Sequence, residues 1–243
     1  MVAAGLIWLA VLAQEGAGSP EGFHIRFLHE ASCEALKEGK GCRKERHWKF
    51  GTKDQVLGGF PDMVEALDKE AEAHRAGAPR PELSERVVFL GGSPLVPWGM
   101  VSWTMRQCAQ AGIYKIAWLK PGSEKEEMVH KFVLRDPERE PTQLQVADPE
   151  IVLRWDDAQG GLIRRVGHRT VVTSLDQMVA EVRQTIARLK EIGKSEFPVR
   201  IDAGEDVPWK HVIEVLDRCR SEGLENLEFV PKLRRKAAAA EKK

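Results

Sequence analysis

Neither sign of charge is in excess in this sequence: 243 residues carry 37 Lys+Arg and 37 Asp+Glu. With a pI near 7.1 there is no global basic field of the kind that gathers nucleic acid, so no nucleic-acid partner is expected. Cysteine is scarce, at 4 residues. Apolar runs are short, and none approaches the roughly 20 residues that span a bilayer as a helix. The signatures GxSxG, GxxxxGK[ST], GxGxxG and HExxH are all missing, which removes the commonest hydrolase, nucleotide-binding and zinc-protease classes. No cofactor is expected. What is present is a chain 42% hydrophobic and 30% charged, a composition that folds. Its length suits one large domain or two small ones.

Met1 to Ala13 carries no charge, and Gln14-Glu15-Gly16 ends that apolar run abruptly. Val11 and Ala13 suit a cleavage site after Ala13, so the segment reads as a secretory signal without the usual basic start. A truncated membrane helix and a buried N-terminal helix are the alternatives. Residues 14–22 read as a flexible Gly/Pro/Ser leader. Cys33 and Cys42 lie in a polar stretch with Gly39 and Gly41, a spacing that can close a surface loop in an oxidising compartment. His24 and His29 precede the pair and admit a zinc reading. With neither CxxC nor HxxxH spacing, the disulfide is favoured and no metal site is assigned.

The chain repeats itself. Val88, Val96-Pro97-Trp98, Val101, Cys108 and Gly112 recur at an offset of 111 as Val199, Val207-Pro208-Trp209, Val212, Cys219 and Gly223. Upstream, Phe60, Met63, Val64, Leu67 and Ala71 have the spacing of Leu175, Met178, Val179, Val182 and Ile186, now at an offset of 115. Steps of 3, 1, 3 and 4 place each set on one helix face, and a loop absorbs the difference in offset cheaply. Thr173 or Ser174 can cap the second of these helices, with Asp176 favouring its dipole.

Each copy then reads as an ordered series. Val87–Leu90 and Val199–Ile201 are buried strands, and Pro97 and Pro208 suit a first helical turn. Trp98 and Trp209 anchor their helices against a sheet, and Gly112 and Gly223 suit left-handed C-caps before a last strand. Ile151–Trp155 and Leu162–Val166 flank Asp157–Gly161 as a hairpin, matched by Phe23–His29 and His47–Phe50 around the loop holding Cys33 and Cys42. The fold class expected is α+β, with two tandem β-β-α-β-α-β domains over residues 23–120 and 148–231. Each is a mixed sheet with two helices on one face. A linker over 121–147 contains the strand-like Met128–Leu134. Residues 231–243 carry six basic side chains and one acidic, a net +5, so the remainder is near −5; this solvated tail has contact with an anionic surface as its weaker functional reading.

The order strand, polar dipeptide, Val-Pro-Trp, helix and glycine resembles the periplasmic domain of the ExbD/TolR family. The second copy is the closer match, through Val199-Arg200-Ile201-Asp202, Val207, Val212, Leu216 and Gly223. In the first copy Gly91 stands where Asp202 stands in the second. The resemblance implies a non-enzymatic module in the periplasm, exported or anchored to the inner membrane, that takes part in proton-driven biopolymer transport. Its implied partners are motor proteins of the ExbB/TolQ type or an energy-transducing envelope protein, and peptidoglycan is a further candidate. Members carry an N-terminal spanning helix with an aspartate in proton passage, and Met1–Ala13 contains no Asp and is too short to span. Members are also thought to pair as homodimers, so a tandem chain is expected to form an internal pseudo-dimer, its linker giving an effective concentration on the order of millimolar. An exported envelope protein without a transport role, and an enzyme with an unrecognised site, are the alternatives.

Few residues invite chemistry. Gly91-Gly92-Ser93 before a helix suits an anion, although the counterpart Asp202-Ala203-Gly204 opposes one. Asp202, Glu205 and Asp206 read as a loop that contacts a partner, ahead of a metal or acid/base pair. His130, His168 and His211 read as scattered, exposed residues.

Overall fold

The computed structural model describes residues 9–10, 22–30, 33, 42, 47–76, 83–122, 127–134, 149–158, 160–167, 170–193 and 198–229. The expected cleavage site after Ala13, nearly all of the leader, most of the linker, His168 and the basic tail lie outside them.

The fold is α+β. Strands β1 (Leu9–Ala10), β2 (Phe23–His29), β3 (Trp48–Gly51) and β4 (Val56–Leu57) precede helix α1 (Phe60–Ala73). Strand β5 (Ser84–Gly92), helix α2 (Trp98–Gln110), β6 (Ile113–Leu119) and β7 (Met128–Leu134) complete the first half. The second half runs β8 (Glu150–Asp156), β9 (Gly161–Val166), β10 (Thr170–Val172), α3 (Leu175–Glu191), β11 (Val199–Ala203), α4 (Trp209–Ser221) and β12 (Leu227–Phe229). Two sheets result, in the orders β1-β7-β6-β5-β2-β3-β4 and β10-β9-β8-β11-β12.

The run β4-β3-β2-β5-β6 has the same connectivity as β10-β9-β8-β11-β12, with the same alternation of antiparallel and parallel neighbours. Register agrees as well: Leu90 faces Trp118 across β5 and β6, and Ile201 faces Phe229 across β11 and β12. Each half carries a short third strand, β4 or β10, that the β-β-α-β-α-β reading omits. Segments of two and three residues are too brief to show alternation. Strand β7, expected inside a linker, instead pairs antiparallel with β6 and widens the first sheet.

Helix ends follow local chemistry. Ser174 caps α3, its hydroxyl accepting from the Gln177 N–H at 3.1 Å, with Asp176 in the first turn and Arg188 and Lys190 in the last. Gly112 (φ 85°) and Gly223 (φ 74°) are left-handed just past α2 and α4, a conformation that only glycine adopts freely. Met63 and Leu67 on α1 and their counterparts Met178 and Val182 on α3 are buried, as are Ala71 and Val179, whose counterparts Ile186 and Val64 are half-buried. One hydrophobic core runs through both halves, from Ile25 and Phe50 to Leu216 and Phe229.

Candidate functional site

Pro97 and Pro208 sit at the N-caps of α2 and α4, one position before the helices begin. Neither cap offers a side-chain hydrogen bond, so the first N–H groups of both helices need other partners. Each helix finds them on the other repeat. The Trp98 N–H donates to the Val207 carbonyl at 2.8 Å, and the Trp209 N–H donates to the Val96 carbonyl at 2.8 Å. One residue further on, Gly99 donates to Glu205 (2.8 Å) and Lys210 donates to Pro94 (3.0 Å). Exchanging each residue for its counterpart 111 positions away turns either bond of a pair into the other. Pro97 and Pro208 form the bridge at the centre.

The side chains cross in the same sense. Trp98 packs on Phe229 of β12 with ring centroids 4.7 Å apart, and Trp209 packs on Trp118 of β6 at 5.4 Å. Trp118 and Phe229 are themselves counterparts and lie 5.7 Å apart. Trp209 also meets Phe27 of β2 at 5.8 Å. Both tryptophans are buried, and each anchors onto the opposite half.

Close approach at this junction depends on Gly99. A Cβ there would lie 3.0 Å from Glu205 Cβ and 3.1 Å from its carbonyl oxygen. Gly99→Val is expected to cost about 1–3 kcal/mol in urea unfolding through overpacking. A loss below about 0.5 kcal/mol, the range of an ordinary surface change, would show the contact to be loose.

The candidate loop residues are tied to this junction. Asp202 pairs with Arg154, whose Nη1 also donates to the Asp202 carbonyl at 2.7 Å. Glu205 gives its backbone carbonyl to Gly99 and leaves its side chain exposed; Asp206 is half-buried. In the first repeat Leu28 and Gly91 occupy the places of Arg154 and Asp202. A Cβ on Gly91 would lie 3.2 Å from Leu119, so the departure from the Asp-bearing pattern has a steric cause. Gly91→Asp is expected to destabilise by about 1–3 kcal/mol, the cost of burying a polar group without a partner. Thermal unfolding at neutral pH measures it, and an unchanged midpoint would contradict the packing account.

The thiols shared by the repeats are inert packing groups. Cys108 and Cys219 are fully buried; burial drives both pKa values up, to about 12 for Cys219. Among the histidines, His211 is half-buried and donates from Nδ1 to the Glu214 carboxylate at 2.8 Å. His130 corrects the reading of an exposed residue. It is 3% exposed on β7, where Trp118 and Phe132 flank it and Asp217 and Arg220 of α4 approach it. The strand itself was visible as Met128–Leu134, but the helix that covers His130 comes from the other half of the chain.

The second candidate lies where β2 turns towards β3. Cys33 and Cys42 are brought together, as the disulfide reading requires, but as two thiols and not a disulfide, their sulfurs 3.5 Å apart. A disulfide bond is about 2.05 Å. Cys42 Sγ is also 3.5 Å from His47 Nδ1. His29, Cys33, Cys42 and His47 each offer a ligand atom, all within 4.8 Å of one another. His24 is not part of this group; it stacks on Phe89 at 4.8 Å. The mixed spacing His-x3-Cys and Cys-x4-His, which brings in His47, is neither CxxC nor HxxxH and so was not apparent from those patterns.

No family model matches the chain, and neither a curated protein nor a solved structure matches it.

Proposed function

We propose that the chain is a tandem ExbD/TolR-like module of the cell envelope, a non-enzymatic binding and coupling unit in proton-driven biopolymer transport. Its two repeats stand in for the two subunits of a homodimer. The observation that carries this reading is the reciprocal exchange of Val-Pro-Trp segments, in which each repeat supplies the helix cap of the other. The residues common to both repeats favour binding over catalysis: they are buried tryptophans, unreactive thiols and C-cap glycines. No helix among the described residues is long and apolar enough to cross a membrane.

Val56 and Val171 are large apolar side chains exposed on the outer edge strands β4 and β10, at equivalent places in the two halves. A photo-reactive amino acid at either position, in cells of the native host, tests the reading. Adducts with a motor protein of the ExbB/TolQ type or an energy-transducing envelope protein are expected. Capture of purified cell wall with no such adduct would move the protein to peptidoglycan binding. Adducts only with soluble metabolic proteins would overturn the assignment.

A further inference from the structure

We propose that His29, Cys33, Cys42 and His47 form a mononuclear tetrahedral site for a zinc-class divalent cation. This rests on the hairpin's own geometry and is independent of any role in transport. Zn–S bonds of about 2.3 Å and Zn–N bonds of about 2.0–2.1 Å set the edges of such a tetrahedron at roughly 3.4–3.8 Å. Two edges of the group, sulfur to sulfur and sulfur to imidazole, are both 3.5 Å, and all its ligand atoms lie within 4.8 Å of one another. Two thiolates and two neutral imidazoles balance the ion's charge, which suits a buried position. Cys33 is 7% and Cys42 2% exposed.

The surrounding hydrogen bonds orient the ligands. His29 Nδ1 donates to the Glu30 carbonyl at 2.8 Å, so the lone pair of the neutral ring is on Nε2. That atom is buried and has no hydrogen-bond partner. A backbone acceptor on one nitrogen with a metal on the other is the usual arrangement of a ligating histidine. Trp48 donates from Nε1 to the Cys42 carbonyl at 2.8 Å and sets its ring edge-on to His29 at 4.3 Å. The two histidines are held by the strands themselves, because His29 ends β2 opposite Trp48 and the Glu30 N–H donates to the His47 carbonyl at 2.9 Å. A cation here would cross-link the whole excursion between β2 and β3.

The test uses the full chain, reduced and stripped with a chelator, then titrated with zinc against a chromophoric competitor. One zinc per chain is expected, and cobalt(II) should give the intense visible bands of a tetrahedral site with thiolate charge transfer. Cys42→Ser and His47→Gln should each weaken binding by at least about 10–100-fold, the loss that follows removal of an outer partner alone. His211→Gln, outside the four-residue group, should bind as the parent does. Metal content of the parent protein decides the matter even where a variant fails to fold. No stoichiometric zinc in the reduced parent chain, or affinity unchanged in both ligand variants, would overturn the proposal. A Cys33–Cys42 disulfide in the isolated protein that leaves no metal binding after reduction would also overturn it, and would assign the pair to a redox staple.

Discussion

Trp209→Ala is expected to lower the stability of the whole chain by about 3–5 kcal/mol, the usual cost of emptying a buried indole site. Trp209 is 0% exposed and touches two strands and a loop of the first half: it lies against Phe27 of β2 and Trp118 of β6, and its N–H is bonded to Val96 before α2. The loss should therefore appear in both halves together. Trp98→Ala removes the counterpart, which rests on Phe229 and Trp118. A similar but smaller loss is expected there, because Trp98 keeps some exposure and β12 is only three residues long. Urea unfolding followed by tryptophan fluorescence and by circular dichroism measures both. Destabilisation of residues 150–229 alone, with the first sheet unaffected, would contradict the account.

Stability is expected to fall as pH drops from about 7.5 towards 5, and His130 is one of the groups responsible. Its pKa lies below the ordinary 6.5, first because it is buried and then because the Arg220 guanidinium is beside it; the Asp217 carboxylate pulls the other way. Arg220 can only donate, so Nδ1 accepts from it and the ring proton sits on Nε2, 3.0 Å from Asp217 Oδ1. A folded pKa below the unfolded one means that the unfolded chain binds more protons between the two values. Stability is then complete above the unfolded pKa and declines as pH falls through that window. Each such group contributes at most about 1.4 kcal/mol per pH unit. His29 shifts in the same direction, again mainly through burial. His130→Phe should flatten the pH dependence of the urea midpoint measured in chelator, leaving the part due to His29. An unaltered slope would show that His130 does not titrate in this range.

The parts of the fold that rest on local periodicity were legible in the sequence. The stripes Met63, Leu67, Ala71 and Met178, Val179, Val182 gave two helices, Ser174 gave a cap, and Gly112 and Gly223 gave two left-handed stops. The β8–β9 hairpin was visible from its alternation and Gly-rich turn. What was hidden depends on residues far apart in the chain. Nothing local to β7 marks His130 as buried, because its cover is Asp217 and Arg220. Strands β4 and β10 are recognisable only as pairing partners of β3 and β9. The Cys/His group was half legible: its cysteines stood out, but His47 joins them only through the pairing of β2 with β3. Gly91 against Asp202 showed in the sequence as a mismatch, and Leu119 supplies its cause.

The central claim is that the two repeats are one body joined through their Val-Pro-Trp segments. Native-state hydrogen exchange at four amides tests it most directly: Trp98, Gly99, Trp209 and Lys210, each bonded to a carbonyl of the opposite repeat. The account expects all four to exchange only through global unfolding, at the rate of the slowest core amides of β5 and β11. Rapid exchange at these four positions, with β5 and β11 still protected, would show two separate units that merely touch.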